Sequence, residues 1–326
     1  MRIESRNGRV TLTLRPAPPL DVELTLQRYR LWGPDPATVY HQGALYRVAQ
    51  AAHGRVPFRL TASGTPDRPC VTLAFDGTDA PDTRAVVRTE ARRLIGADVD
   101  LSGFHAMAAR DPVLGPLVGR ESGLWGLRPT LSPDPFEMLV GAISAQQVNL
   151  AFAFTTRARL VRRFGEPVVL DGVTVYAFPS AATLAAAAVA TLRRMQFSER
   201  KAEYIIGLAG QIVSGRLDLP ALATLPDDEV IARLTRVRGL GRWTAEWFLA
   251  RGLGRPDVCP AADLAVRRAV EAFCFRGRPS DPTRVRRRAL AWRPYRSLAV
   301  HYLLDGLRLA RTAADAAPRA RAAGEA

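Results

Sequence analysis

Over the first hundred residues apolar and polar side chains alternate in short runs, most clearly in Val10-Thr11-Leu12-Thr13-Leu14 and Val71-Thr72-Leu73-Ala74-Phe75. A period of two puts every second side chain on one face of a strand, and turn-rich stretches such as Gly33-Pro34-Asp35-Pro36 separate the runs, so antiparallel strands are predicted. The period lengthens to that of a helix over 82–95, where Val87, Ala91, Leu94 and Ile95 share a face and Gly96 stands in a helix-ending position. An α+β domain, a small antiparallel sheet with a helix, is expected over residues 1–100.

From Leu101 onward strand signals nearly vanish. Helical spacing recurs over 135–146, 150–164, 181–195, 199–214, 227–236, 242–253, 264–274 and 295–310, with Gly and Pro between the stretches. The valine-bearing stretch 165–178 reads as irregular chain or a short hairpin. A mainly α-helical bundle is expected over 101–311. Residues 312–326 are rich in Ala, Arg and Gly without an apolar face, and are expected to form a disordered tail.

Composition leaves this two-domain picture intact. A chain of 326 residues with 48% hydrophobic and 24% charged side chains has ordinary globular values. No run approaches the ~18 apolar residues of a membrane span, and the first ten residues lack the apolar stretch of a secretory signal. A soluble, cytoplasmic protein is expected, with no membrane partner. Cys70, Cys259 and Cys274 lie far apart and form no CxxC pair, so neither a disulfide framework nor a four-cysteine zinc or iron–sulfur site can be built from this chain alone. No cofactor is expected.

Charge changes the picture more. Lys+Arg total 46 against 31 Asp+Glu, a net charge of +15. Residues 1–100 carry only +3 of this and residues 101–326 carry +12; the stretch 276–296 holds eight arginines against the single acid Asp281. Such a run is either a solvated basic face or a surface for a polyanion. Lys201 is the only lysine, so chemistry requiring a lysine nucleophile has one candidate.

The densest chemistry lies between residues 230 and 300. A helix carrying Val230, Ile231 and Leu234 on one face stops at Gly239-Leu240-Gly241, and a second starts at once. Two glycines let the chain turn tightly and approach a ligand, Leu240 can anchor the hairpin in the core, and the N–H groups that follow suit a backbone phosphate. An ordinary αα-hairpin has the same outline. Trp243 and Trp247 lie four residues apart and share a helix face, and Trp292 sits within the arginine run. Core packing is the usual use of tryptophan; stacking on a flipped, positively charged base is the alternative. An irregular Gly/Pro segment then leads to Asp263, which on local grounds is a helix N-cap.

The order helix, Gly-Leu-Gly hairpin, helix, Gly/Pro-rich loop and aspartate resembles the helix-hairpin-helix superfamily of DNA glycosylases, and most closely its alkylation-repair branch, the 3-methyladenine DNA glycosylase II type. The resemblance is carried by Gly239-Leu-Gly-Arg-Trp-Thr-Ala245, Asp134-Pro-Phe-Glu137, Ala142-Ile-Ser-Ala-Gln-Gln147 and Trp292-Arg-Pro-Tyr-Arg-Ser297, across most of residues 100–310. It implies that Asp263 is the catalytic carboxylate and that Trp243, Trp247 and Trp292 line the base pocket. The DNA-binding hairpin would comprise Gly239, Leu240, Gly241, Arg242 and Thr244, and Gln146 and Gln147 would form the loop that enters the duplex. The residue matched by Gln147 is commonly an apolar wedge in this branch, so glutamine is a departure. The hairpin would also hold a monovalent cation through main-chain carbonyls, with no side-chain metal ligands. Superfamily members that cut the strand place a lysine where this chain has Trp243, so the resemblance implies base removal without strand cleavage. The expected partner is damaged duplex DNA, bound by a monomer of bacterial, nucleoid-associated type. A glycosylase for oxidised or deaminated bases, and a non-catalytic DNA-binding protein in which Asp263 is only a cap, are the alternatives. His301, in a helical setting, is expected to be a packed or surface histidine.

Overall fold

The alternating runs pair as an antiparallel sheet in the computed structural model, which describes residues 3–6, 8–76 and 80–324, with side chains over 8–76 and 80–312. Strands β1 (Ile3–Arg6), β2 (Arg9–Leu14), β3 (Thr38–His41), β4 (Ala44–Ala51), β5 (Gly54–Thr65) and β6 (Arg68–Asp76) lie in the order β1-β2-β6-β5-β4-β3. Val10 pairs with Phe75, Leu12 with Leu73 and Leu14 with Val71. All six are buried, so the period of two fixes both register and core face. That face is covered by α1 (Pro81–Leu94) through Val87, Ala91 and Leu94. Gly96 follows in the left-handed conformation, φ 58°, as a helix-ending glycine does.

The helical part contains α2 (Pro135–Ala145), α3 (Leu150–Phe164), α4 (Glu199–Val213), α5 (Asp227–Thr235), α6 (Arg242–Trp247), α7 (Leu264–Cys274), α8 (Pro282–Ala289) and α9 (Arg296–Gly324), with several shorter helices. The valine-bearing segment forms a hairpin, β7 (Glu166–Leu170) and β8 (Val173–Ala177). Leu170 and Val175 on it pack against Ala44, Tyr46 and Val48 of the sheet. Two expectations are corrected. Residues 181–195 form two short helices, Ala181–Ala185 and Val189–Arg194, rather than one. The helix over 242–253 is α-helical only to Trp247 and continues as a π-helical turn over Phe248–Leu253. The arginine run contains α8, a helix the spacing did not predict, started by the Asp281 cap and Pro282 at its first turn. The expected tail lies, as to side chains, outside the described residues from 313 on, although the backbone of α9 continues to Gly324.

Two hydrophobic clusters fill the helical part. One joins α2 through α6; the other surrounds Phe104, Trp292 and Tyr302 and takes in α7 and α9. Trp247 packs against both. Sheet and helices are also joined by buried charge. Arg47 on β4 donates to Glu137 on α2 at 2.6 and 3.2 Å and to Glu90 on α1 at 2.9 Å; Arg157 on α3 donates to Glu137 at 2.5 Å and pairs with Asp35. Among the described residues no helix is long and apolar enough to cross a membrane.

Candidate active site

Helix α5 ends in a turn whose Val237 and Leu240 side chains are buried, and Leu240 N donates to Val237 O at 3.0 Å. Leu240 therefore anchors the hairpin, as its apolar character between two glycines predicts. Gly239 has φ 93°, and a Cβ there would overlap the Tyr204 ring, so only glycine fits. Gly241 is different: its φ of −96° suits any residue and nothing lies near a Cβ. It leaves the start of α6 open to solvent. Arg242 is exposed beside it, whereas the Thr244 side chain is buried.

Four residues apart on one face, Trp243 and Trp247 direct both indole N–H groups to one oxygen. Trp243 Nε1 donates to Asp263 Oδ2 at 2.8 Å and Trp247 Nε1 at 3.1 Å. The other oxygen, Oδ1, accepts from the backbone N–H groups of Ala265 at 2.8 Å and Val266 at 3.1 Å and so caps α7. The cap and a carboxylate role are compatible in geometry: Oδ1 caps the helix and Oδ2 is held by the indoles. Four donors fix the half-buried carboxylate in place.

Trp292 does not join this group. It is fully buried in the second cluster, its Nε1 donates to Asp111 Oδ2 at 3.1 Å, and the Arg288 guanidinium stacks 4.6 Å from its ring centre. The expectation that it lines the base pocket is corrected: it is a core residue whose polar edge is already satisfied. The aromatic that the sequence reading passed over is Tyr295, three residues on in the same motif. With Trp247, Tyr295 lines a cavity of about 410 Å³, together with Leu131, Pro260, Arg251 and His301. The signal was present in Trp292-Arg-Pro-Tyr295, but spacing alone does not tell which ring faces inward. His301 is packed, as expected; burial and the neighbouring Arg251, whose Nη2 lies 3.0 Å from Nδ1, push its pKa down to about 3. Burial also lowers Arg251 to about 9.

The loop after α2 is tied to the hairpin. Gln146 Nε2 donates to Gly239 O at 2.8 Å, and Lys201 Nζ on α4 donates to Ser144 O at 2.8 Å. Gln147 is exposed at the tip with φ 55°, flanked by the exposed apolar side chains of Val148 and Leu150. The hairpin carbonyls of Val237 and Gly239 each accept one donor, Leu240 N and Gln146 Nε2. Among the described residues no cluster of His, Cys, Asp and Glu has the makings of a metal site.

Beneath α6 lies one more group that the sequence reading missed. Glu246 is buried; its Oε1 accepts from Arg242 Nε at 2.9 Å and from Arg286 Nη2 of α8 at 3.1 Å, while its Oε2 has no hydrogen-bond partner. Cys259 is buried near it, and burial first, then the Glu246 charge, pushes the thiol up to about 12.

Residues 140–294 match the family model described as HhH-GPD superfamily base excision DNA repair protein. The DNA-3-methyladenine glycosylase of Bacillus subtilis is 31% identical over 206 residues, covering 63% of this chain and 67% of that protein. The DNA-3-methyladenine glycosylase 2 of Escherichia coli is 34% identical over 181 residues, covering 55% of this chain and 60% of that protein. The 3-methyladenine DNA glycosylase structure from Archaeoglobus fulgidus superposes with a TM-score of 0.79 at 27% identity, over 90% of this chain and 97% of that one. With a hairpin, an aspartate-capped helix and a fold shared across nine-tenths of its length, the chain belongs to the HhH-GPD superfamily of base excision DNA repair proteins.

Proposed function

We propose that this protein is a monofunctional DNA glycosylase that excises alkylated purines, of the 3-methyladenine and 7-methylguanine type, from duplex DNA in base excision repair. The observation that carries this reading is the Asp263 carboxylate, held by two indole N–H groups at the mouth of a hairpin suited to DNA. Breaking an N-glycosidic bond builds positive charge on the sugar, and a carboxylate fixed before the reaction stabilises that charge without reorganising. Its four hydrogen bonds hold Asp263 for that task and for orienting the attacking water.

A purine methylated at N3 or N7 is already cationic and leaves as a neutral base, so the reaction needs no strong general acid. The partly exposed rings of Trp243 and Trp247 offer stacking faces, and a cationic base stacks on indole with an added electrostatic attraction. Neither Asp263 nor Trp243 lines the cavity bounded by Trp247 and Tyr295, but Trp247 borders it and bonds Asp263, which makes the cavity the candidate pocket for the far edge of the flipped base. Gln146 and Gln147 lie in the loop that enters the duplex, with Gln147 at its exposed tip. Strand cleavage would require an amine at the sugar. An indole stands at the hairpin position, and Lys201, the only lysine, is engaged by the Ser144 carbonyl at the end of α2.

Duplex DNA carrying 3-methyladenine or 7-methylguanine should lose free base and acquire abasic sites with intact strands. Asp263→Asn keeps an oxygen to cap α7 but turns its amide NH2 toward two indole donors, so the variant should melt somewhat lower yet still fold and bind DNA, while base release falls by about 10²–10³. Release at the normal rate by that variant would remove Asp263 from the mechanism. A covalent complex trapped by borohydride would refute hydrolysis without strand cleavage.

A further inference from the structure

The arrangement of Arg242, Arg286 and Glu246 is not that of an ordinary ion pair. A stabilising arginine–carboxylate pair is usually bidentate, two N–H groups on two oxygens. Here two arginines from different elements share one oxygen of a carboxylate that is 3% exposed, and the second oxygen is buried without a partner. Leaving it so costs free energy. Two like charges are also held within about 6 Å of each other, since each lies about 3 Å from the same atom. What this geometry achieves is placement. The Arg242 and Arg286 side chains are 59% and 39% exposed, and each spends a single N–H on Glu246. Among the described residues neither guanidinium makes another hydrogen bond, so their remaining donors are free for a ligand. The trio has net charge +1 and borders Gly241, where the open start of α6 leaves the hairpin backbone accessible.

We propose that Arg242 and Arg286 form a two-armed grip for one backbone phosphate of bound DNA, and that Glu246 is a positioning residue that fixes the arms. The grip extends the DNA contact from the hairpin to α8, and gives one face of the arginine run a defined task. A phosphodiester presents two non-bridging oxygens, matching two guanidinium groups at this spacing. The inference rests on the DNA-glycosylase reading only for its ligand, duplex DNA.

The test is equilibrium binding to a duplex with an abasic-site analogue across a salt series, alongside single-turnover base release at saturating protein. Arg242→Gln and Arg286→Gln should each lower the slope of log K against log salt by part of the about 0.9 that one phosphate contributes, their double variant by about 0.9 in all, and the double variant should weaken binding less than the product of the two. Arg287→Gln, on the exposed side of α8 with no contact to Glu246, serves as the control for charge alone. Glu246→Gln is the sharpest arm. It makes the surface more positive, so a diffuse charge effect would tighten binding, whereas loss of the grip weakens it. The conservative Arg286→Lys should keep much of the salt slope while losing the fork geometry. Inorganic phosphate should compete better than chloride at equal ionic strength and lose that advantage against the double variant; an equal advantage against the double variant would overturn the proposal. A slope for Arg286→Gln no lower than that of Arg287→Gln, or tighter binding by Glu246→Gln, would also overturn the proposal. If the slopes change as expected but the unmodified protein releases no base, the grip stands and the glycosylase reading falls.

Discussion

At Asp263 a single side chain meets two demands that usually compete. A helix N-cap is a structural post, and a catalytic carboxylate needs its charge directed at substrate; here Oδ1 takes the backbone donors of α7 and Oδ2 takes the indoles. This division makes the cap, which is observed, compatible with the carboxylate role that the resemblance implies. Asp263→Ala should therefore differ from Asp263→Asn. It removes the cap as well and should cost about 1 kcal/mol more in urea unfolding, with release lost in both. Gly239 shows the reverse situation, one residue type with no freedom. Gly239→Ala meets both a left-handed backbone and the Tyr204 ring, and a loss of about 1–3 kcal/mol is expected, read as a lower urea midpoint at unchanged slope. Gly241→Ala, in open space at an ordinary φ, should have little effect on stability.

Among the elements, those whose apolar period is uninterrupted were legible in the sequence to the residue. Helices α3 and α7 have the expected bounds, and β2 pairs with β6 in the register their alternation requires. Legibility failed where another contact overrode the period. The alanine-rich stretch 181–195 carries a helical pattern but too little apolar surface to keep one helix through residues 186–188, and the run beyond Trp247 closes as a π-turn around buried Phe248 and Leu249. That Trp292 is core and Tyr295 faces the cavity was not legible because both stand in one short motif, and only packing decides which ring goes to the core. The least legible feature was the buried charge joining the sheet to α2 and α3, since Arg47, Glu137 and Arg157 are far apart in sequence. Burial alone would raise the Glu137 pKa, but Arg47 and Arg157 outweigh it and hold it below the ordinary value. A lowered carboxylate contributes stability that is present above its unfolded pKa, near 4.3, and is lost as pH falls through the lower folded value. Glu137→Gln leaves two buried arginines without that charge and should cost about 3–5 kcal/mol at pH 7. The cost should shrink on acidification below about pH 4, which urea titrations at several pH values would measure.

For the molecule as a whole, the question is where its chemistry is exposed and where it is withheld. The excess of +12 beyond residue 100 favours a polyanion, and arginine carries nearly all of it. Raising salt from 50 to 200 mM should weaken DNA binding steeply, by orders of magnitude if six or more phosphates are contacted. The same arginines have a second effect. Reagents that methylate DNA also attack proteins, at thiolates and neutral amines, and an always-protonated guanidinium is a poor target. Of the three thiols, Cys259 is buried and pushed up to about 12, Cys274 is also raised by burial, and Cys70 is only partly exposed. The one lysine amine is half-buried and donates to the Ser144 carbonyl, which shields it although burial lowers its pKa. Native protein treated with iodoacetamide near neutral pH should therefore label slowly and at Cys70 before Cys259, with full labelling only after unfolding. A protein whose substrates arise under electrophilic attack thus offers that attack few nucleophiles of its own, and should outlast the chemical conditions that create its work.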